Sequence, residues 1–174
     1  MDHHTWSQSA DRLLGHDMAA VLVASPDDPR PIGQVTGAQP IGFNQPQNQT
    51  NHIFGYPTIT ERNYYRPGHV SPELQQTFDG RNLMFAQGTT LADPVYYSDV
   101  MPGALSPGCS GGAVLQNFDP TTGTGLQSGV FSRYDDPGQI IGVFGWQEGP
   151  NMSSTHFGDE EQAVYNAAQS APLT

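Results

Sequence analysis

The sequence predicts an all-β fold: a small antiparallel barrel with a single helix packed against its outside. Three observations predict it. The chain of 174 residues carries 20 glycines and 15 prolines, together well above the roughly 12 % of average usage, which favours short strands joined by many turns. Apolar segments of strand length recur, each bounded by a turn cluster. Helical periodicity appears only at the C-terminal end.

In chain order, residues 18–24 form a nearly unbroken apolar run, Met-Ala-Ala-Val-Leu-Val-Ala, which stops at Ser25-Pro26-Asp27-Asp28-Pro29. The run reads as a buried strand and the cluster as a strong turn. Residues 25–51 are rich in Pro, Gly, Gln and Asn, which suits a connector crossing a surface. Six more strand candidates follow, at 52–56, 82–88, 95–100, 112–118, 125–131 and 140–146. Asp93-Pro94, Asp119-Pro120 and Asp136-Pro137 separate neighbouring candidates, because proline cannot donate to a ladder and aspartate closes a local turn. Residues 121–125 and 135–138 therefore read as hairpin connections. The last segment changes period: Asp159 can cap a helix, Glu160 and Glu161 suit its positive end, and Val164, Ala167, Ala168 and Ala171 share one face up to Pro172.

Charge and composition narrow the classes of function. Six Lys plus Arg against 17 Asp plus Glu give a net charge of −11, which repels phosphate backbones and anionic lipid, so neither nucleic acid nor membrane is an expected partner. Residues 1–11 are polar, without the apolar core of a signal peptide, and no apolar run of about 18 residues occurs. With 36 % hydrophobic residues the chain can bury one core. The single cysteine, Cys109, leaves no disulfide framework.

The residues with the most chemical potential lie at Gly108-Cys109-Ser110-Gly111-Gly112. A serine that attacks a carbonyl needs its hydroxyl on a tight, exposed turn, with backbone N–H groups aimed at the oxygen that becomes negative. Glycines on both sides let the backbone bend and let substrate approach. An isolated match of this kind is usually an ordinary loop. Here it falls between two strand candidates, and Asp17 opens the apolar run far upstream.

Asp17 to Val23, Phe54-Gly55-Tyr56-Pro57, residues 108–115, Asn117-Phe118-Asp119, Thr122-Gly123-Thr124-Gly125, residues 142–146 and the terminal helix together resemble trypsin-like, chymotrypsin-fold serine peptidases. The likeness is to secreted actinobacterial peptidases related to glutamyl endopeptidases and covers roughly residues 15–168. It implies an antiparallel Greek-key barrel: residues 1–24 would be the remnant of a first barrel ending in the Asp17 strand, 25–51 an interdomain connector, and 52–174 the second barrel with its C-terminal helix. It also implies acyl transfer. Ser110 would be the nucleophile, Gly108 and Ser110 the oxyanion hole, and Asp17 would orient a histidine base. Residues 140–146 would pair with the substrate backbone, Phe144, Gly145 and Trp146 binding substrate, and residues 100–105 would share the primary pocket with them. A protein or peptide substrate, export from the cell and no cofactor are implied as well.

One departure from the family pattern is large. Its histidine precedes the aspartate by several strands, yet only His3, His4 and His16 precede Asp17, and none is a convincing base. The expectation is a chain without its catalytic histidine, inactive alone, whose uncovered interbarrel face favours self-association. The alternative is a protease-derived barrel that binds a peptide or partner without hydrolysing it. Cys109 sits one residue before the nucleophile position, so a thiol reading fails on register. No metal is expected, since His3-His4 has no third ligand at familiar spacing.

Overall fold

The computed structural model describes residues 16–23, 27–58, 78–93, 98–103, 105, 108–135 and 151–172. Among them, seven strands form one curled, wholly antiparallel sheet: β1 (Thr50–Gly55), β2 (Met84–Thr89), β3 (Leu91–Asp93), β4 (Ser98–Pro102), β5 (Ala113–Asp119), β6 (Thr124–Asp135) and β7 (Asn151–His156). Their order is β2-β1-β5-β6-β7-β4-β3. The chain thus leaves the β1–β2 pair for the far edge, builds β3 and β4 there, and returns to place β5 beside β1. The expected barrel with a terminal helix is the architecture found.

Alternation explains which side faces in. On β1, Asn51, Ile53 and Gly55 are buried while His52 and Phe54 point to the other face. Ile53 meets Met101, Leu105, Cys109, Val114, Phe131 and Met152 in one core cluster. Val100, Met101 and Leu105, in the segment expected to share the primary pocket, are buried. The β5–β6 hairpin turns where the Asp119 carboxylate accepts the Thr121 N–H at 2.8 Å, which holds that carboxyl below its usual range.

Three expectations need correction. Residues 18–23 lie in no strand, and Val21 is 80 % exposed. A buried strand needs ladder partners, and neither edge of the sheet, β2 or β3, pairs with this run. The connector is also more structured than expected: it holds a short helix, α1 (Ile32–Thr36), bridges Ile41 to Gln127, and packs Phe43 against Phe157 and Tyr165.

The terminal helix, α2 (Asp159–Ser170), turns a different face inward. Glu161, Tyr165 and Ala168 contact the body, while Val164 and Ala167 are exposed. Gly158, not Asp159, is the N-cap residue, and its N–H donates to Glu161 Oε2 at 2.9 Å. Asp159 instead accepts from the Asn44 amide at 2.8 Å. Tertiary contacts at the helix start thus outweigh the apolar stripe.

Candidate active site

The turn 108–112 is shaped by close backbone approach. Gly108 has φ +100°, and a Cβ there would lie 2.7 Å from the Tyr56 carbonyl oxygen. A Cβ on Gly112 would collide with the Phe54 carbonyl. Three hydrogen bonds fix the turn: Gly112 N–H to Cys109 O at 2.8 Å, Gly111 N–H to Phe131 O at 2.8 Å, and Phe131 N–H to Gly112 O at 2.9 Å. Ser110 is consequently exposed on the turn, whereas Cys109 is buried against Gly55. Among the described residues, neither the Gly108 nor the Ser110 N–H donates to a backbone carbonyl. Amides beside an exposed hydroxyl are the kind of donor that a developing oxyanion requires.

Ser132 links this turn to Asp17. Along β6, Phe131 pairs with Ser154 and Arg133 with Ser153, so Ser132 is the extra residue of a β-bulge. A bulged residue escapes the in-out alternation and can be aimed at a site. Its carbonyl accepts the Ser110 hydroxyl at 3.4 Å, a long contact. Its own hydroxyl donates to Asp17 Oδ2 at 2.7 Å. The two side chains expected to share a site thus approach opposite ends of one residue.

Asp17 is held from other elements too. Its carbonyl accepts the Thr155 hydroxyl of β7 at 3.2 Å. The preceding His16 places Nδ1 2.7 Å from Oε1 of Glu161, which is 2 % exposed on α2. His16, Glu160 and Glu161 bring one ligand atom each within 4.8 Å, the grouping that could hold a cation among the described residues. Both Glu161 oxygens already meet hydrogen-bond partners, however.

The three described histidines are all engaged away from Ser110. His16 meets Glu161, and His52 stacks with Phe54 and Phe85. His156 places Nδ1 3.0 Å from Oδ2 of the buried Asp99, whose other oxygen accepts from Gln47 at 3.0 Å. The Asp99 carboxylate raises the His156 pKa above its ordinary value, against the opposing effect of burial. Phe144, Gly145 and Trp146 lie outside the described residues, as do His3, His4 and His69.

A cleft of about 350 Å³ opens beside Ser110, walled by Phe54, Gly55, Tyr56, Leu83 and residues 108–113. Sequence reasoning singled out the turn and Asp17 but not Ser132, Thr155 or Glu161, which the structure brings to them. A lone Ser, Thr or Glu carries no local signal, and each acquires its contact only through the sheet or helix that carries it.

No family model matches the sequence, and no curated protein matches it. Two solved structures do. A thermostable serine protease, AL20, from an extremophilic microorganism is 26 % identical, with a TM-score of 0.53, over 79 % of this chain and 51 % of its own. The protease Anisep from Arthrobacter nicotinovorans is 22 % identical, with a TM-score of 0.58, over 87 % of this chain and 56 % of its own. The chain spans about half the length of these proteases and has a chymotrypsin-like protease fold. Neither likeness supports the narrower link to glutamyl endopeptidases.

Proposed function

We propose that this chain carries the nucleophile and the orienting aspartate of a serine endopeptidase. Ser110 Oγ attacks the peptide carbonyl, the Gly108 and Ser110 amides hold the resulting oxyanion, and an imidazole between Ser110 and Asp17 takes the hydroxyl proton. That proton passes to the departing amine, leaving an ester on Ser110 that water hydrolyses. None of the three described histidines stands between Ser110 and Asp17, so the reading requires an imidazole from outside the described residues. The observation that carries the reading is the Ser132 bridge, with the Ser110 hydroxyl on its carbonyl and Asp17 Oδ2 on its hydroxyl.

Chemical rescue tests it. Labelling by a fluorophosphonate is expected to be negligible for the chain alone and to rise when free imidazole is added in excess. The gain should vanish in Ser110→Ala and fall by at least about tenfold in Asp17→Asn, since the members of such a triad act as a unit. Labelling that imidazole never raises, or that persists in Ser110→Ala, would sink the enzymatic reading. The second reading, a peptide-binding barrel without hydrolysis, is favoured by the engagement of all three described histidines elsewhere.

A further inference from the structure

The cleft beside Ser110 continues into an aromatic surface. Phe54 stacks on Phe85 with centroids 5.9 Å apart and meets Phe118 at 4.9 Å, and His52 lies 5.2 Å from Phe118. Cross-strand register enforces this, since Phe54 of β1 stands directly opposite Phe85 of β2. Leu83 is 57 % and Phe85 61 % exposed, and Tyr56 is exposed at the cleft rim. Large apolar side chains held this far in water mark a contact surface. The interlocked rings mean that little ordering would accompany an arriving apolar group.

The cleft wall has a definite chemistry. Residues 54–56, 83 and 108–113 contribute no Lys, Arg or His, so the described wall offers no cation to an acidic side chain. A volume of about 350 Å³ stands near the low end of ligand-sized pockets, of order 300–1,000 Å³, and suits one large side chain better than a whole small molecule. Neither Asp17 nor Ser132 lines it, so the cleft lies off the line along which those two residues reach Ser110.

We propose that Phe54, Tyr56 and Leu83 form a subsite that selects an aromatic or large aliphatic side chain of the peptide substrate, with Phe85 extending it along β2. The identification of the occupant as substrate rests on the protease reading. The cleft borders the candidate nucleophile itself, so a peptide whose scissile carbonyl reaches the 108–110 amides passes a neighbouring side chain over this wall. Such a subsite disfavours glutamate.

Peptide binding to the full chain tests this without turnover. Labelled hexapeptides of Gly and Ser with one central Phe, Ala or Glu serve as probes, with fluorescence anisotropy as the readout. The Phe peptide is expected to bind about tenfold more tightly than the Ala peptide, and the Glu peptide no better than Ala. Leu83→Ser with Tyr56→Ser, both at exposed positions, should bring the Phe-to-Ala ratio within about threefold, and Val35→Ser, exposed on the connector and away from the cleft, should leave it unchanged. A peptide with benzoylphenylalanine at the central position should photo-cross-link to residues 54–56 or 83–85. Equal binding of Phe and Ala peptides, a ratio that survives the double substitution, or cross-links on the separate apolar surface at Val23, Ile32 and Val35 would each overturn the subsite. Failure of the imidazole rescue alongside intact Phe selectivity would instead remove hydrolysis and leave a peptide-binding groove.

Discussion

Gly112 has nowhere to put a side chain, because the Phe54 carbonyl occupies the place of a Cβ. Gly112→Ala is expected to destabilise the fold by about 2 kcal/mol or more through backbone displacement, read as a lower urea midpoint. Ser110→Ala, on an exposed turn, should stay within about 0.5 kcal/mol of the parent. His156 gives a pH signature. Its folded-state pKa is raised by Asp99, so the folded state binds its proton more tightly than the unfolded chain does. The stabilisation is fully present below the unfolded value, about 6.5, and is lost as pH rises through the folded value. Stability should therefore fall from this source above about pH 6.5, and His156→Gln should flatten that part of the profile in denaturation titrations.

At the level of elements, α2 does more than close the barrel. Its first turn presents Glu161 to His16, and so anchors the segment that carries Asp17. Glu161→Ala removes a buried carboxylate with two partners, at an expected cost of about 3 kcal/mol. Hydrogen exchange should show the amides of Asp17 and Met18 losing protection while those of β5 and β6 keep theirs. The sequence made α2 visible through its acidic first turn but misassigned its inward face, since alanine spacing gave no hint that a glutamate would be the buried residue. The strands show the same division. β1, β2, β5 and β6 were legible from apolar alternation and Asp-Pro turns. β7 was not, because Asn-Met-Ser-Ser-Thr-His is a polar string whose burial follows only from its place between β6 and β4. The run 18–23 failed in the opposite sense, apolar yet exposed, because apolar character alone supplies no ladder partner.

For the whole molecule, the apolar area left in water sets behaviour in solution. Val21, Leu22, Val23, Ile32 and Val35 gather on the N-terminal and connector segments, apart from the Leu83 and Phe85 surface. We expect concentration-dependent self-association, visible as a rising weight-average mass in sedimentation velocity. Val21→Ser with Val23→Ser should reduce it more than Phe85→Ser does. A monomer at all concentrations, or no response to either variant, would contradict this. The barrel class and the glycine turn could be read from the sequence because both rest on local chemistry. The bridge through Ser132 that links Asp17 to Ser110 could not, because it depends on one irregularity in strand pairing.

That irregularity has a consequence for how the site can be lost. Ser132 packs neither into the core nor into the regular ladder, so its hydroxyl contributes little to folding while both partners of the site lean on it. Ser132→Ala would pass unnoticed in a screen for solubility or expression. A change at position 132 could thus break the link between Asp17 and Ser110 and still leave behind a well-formed barrel.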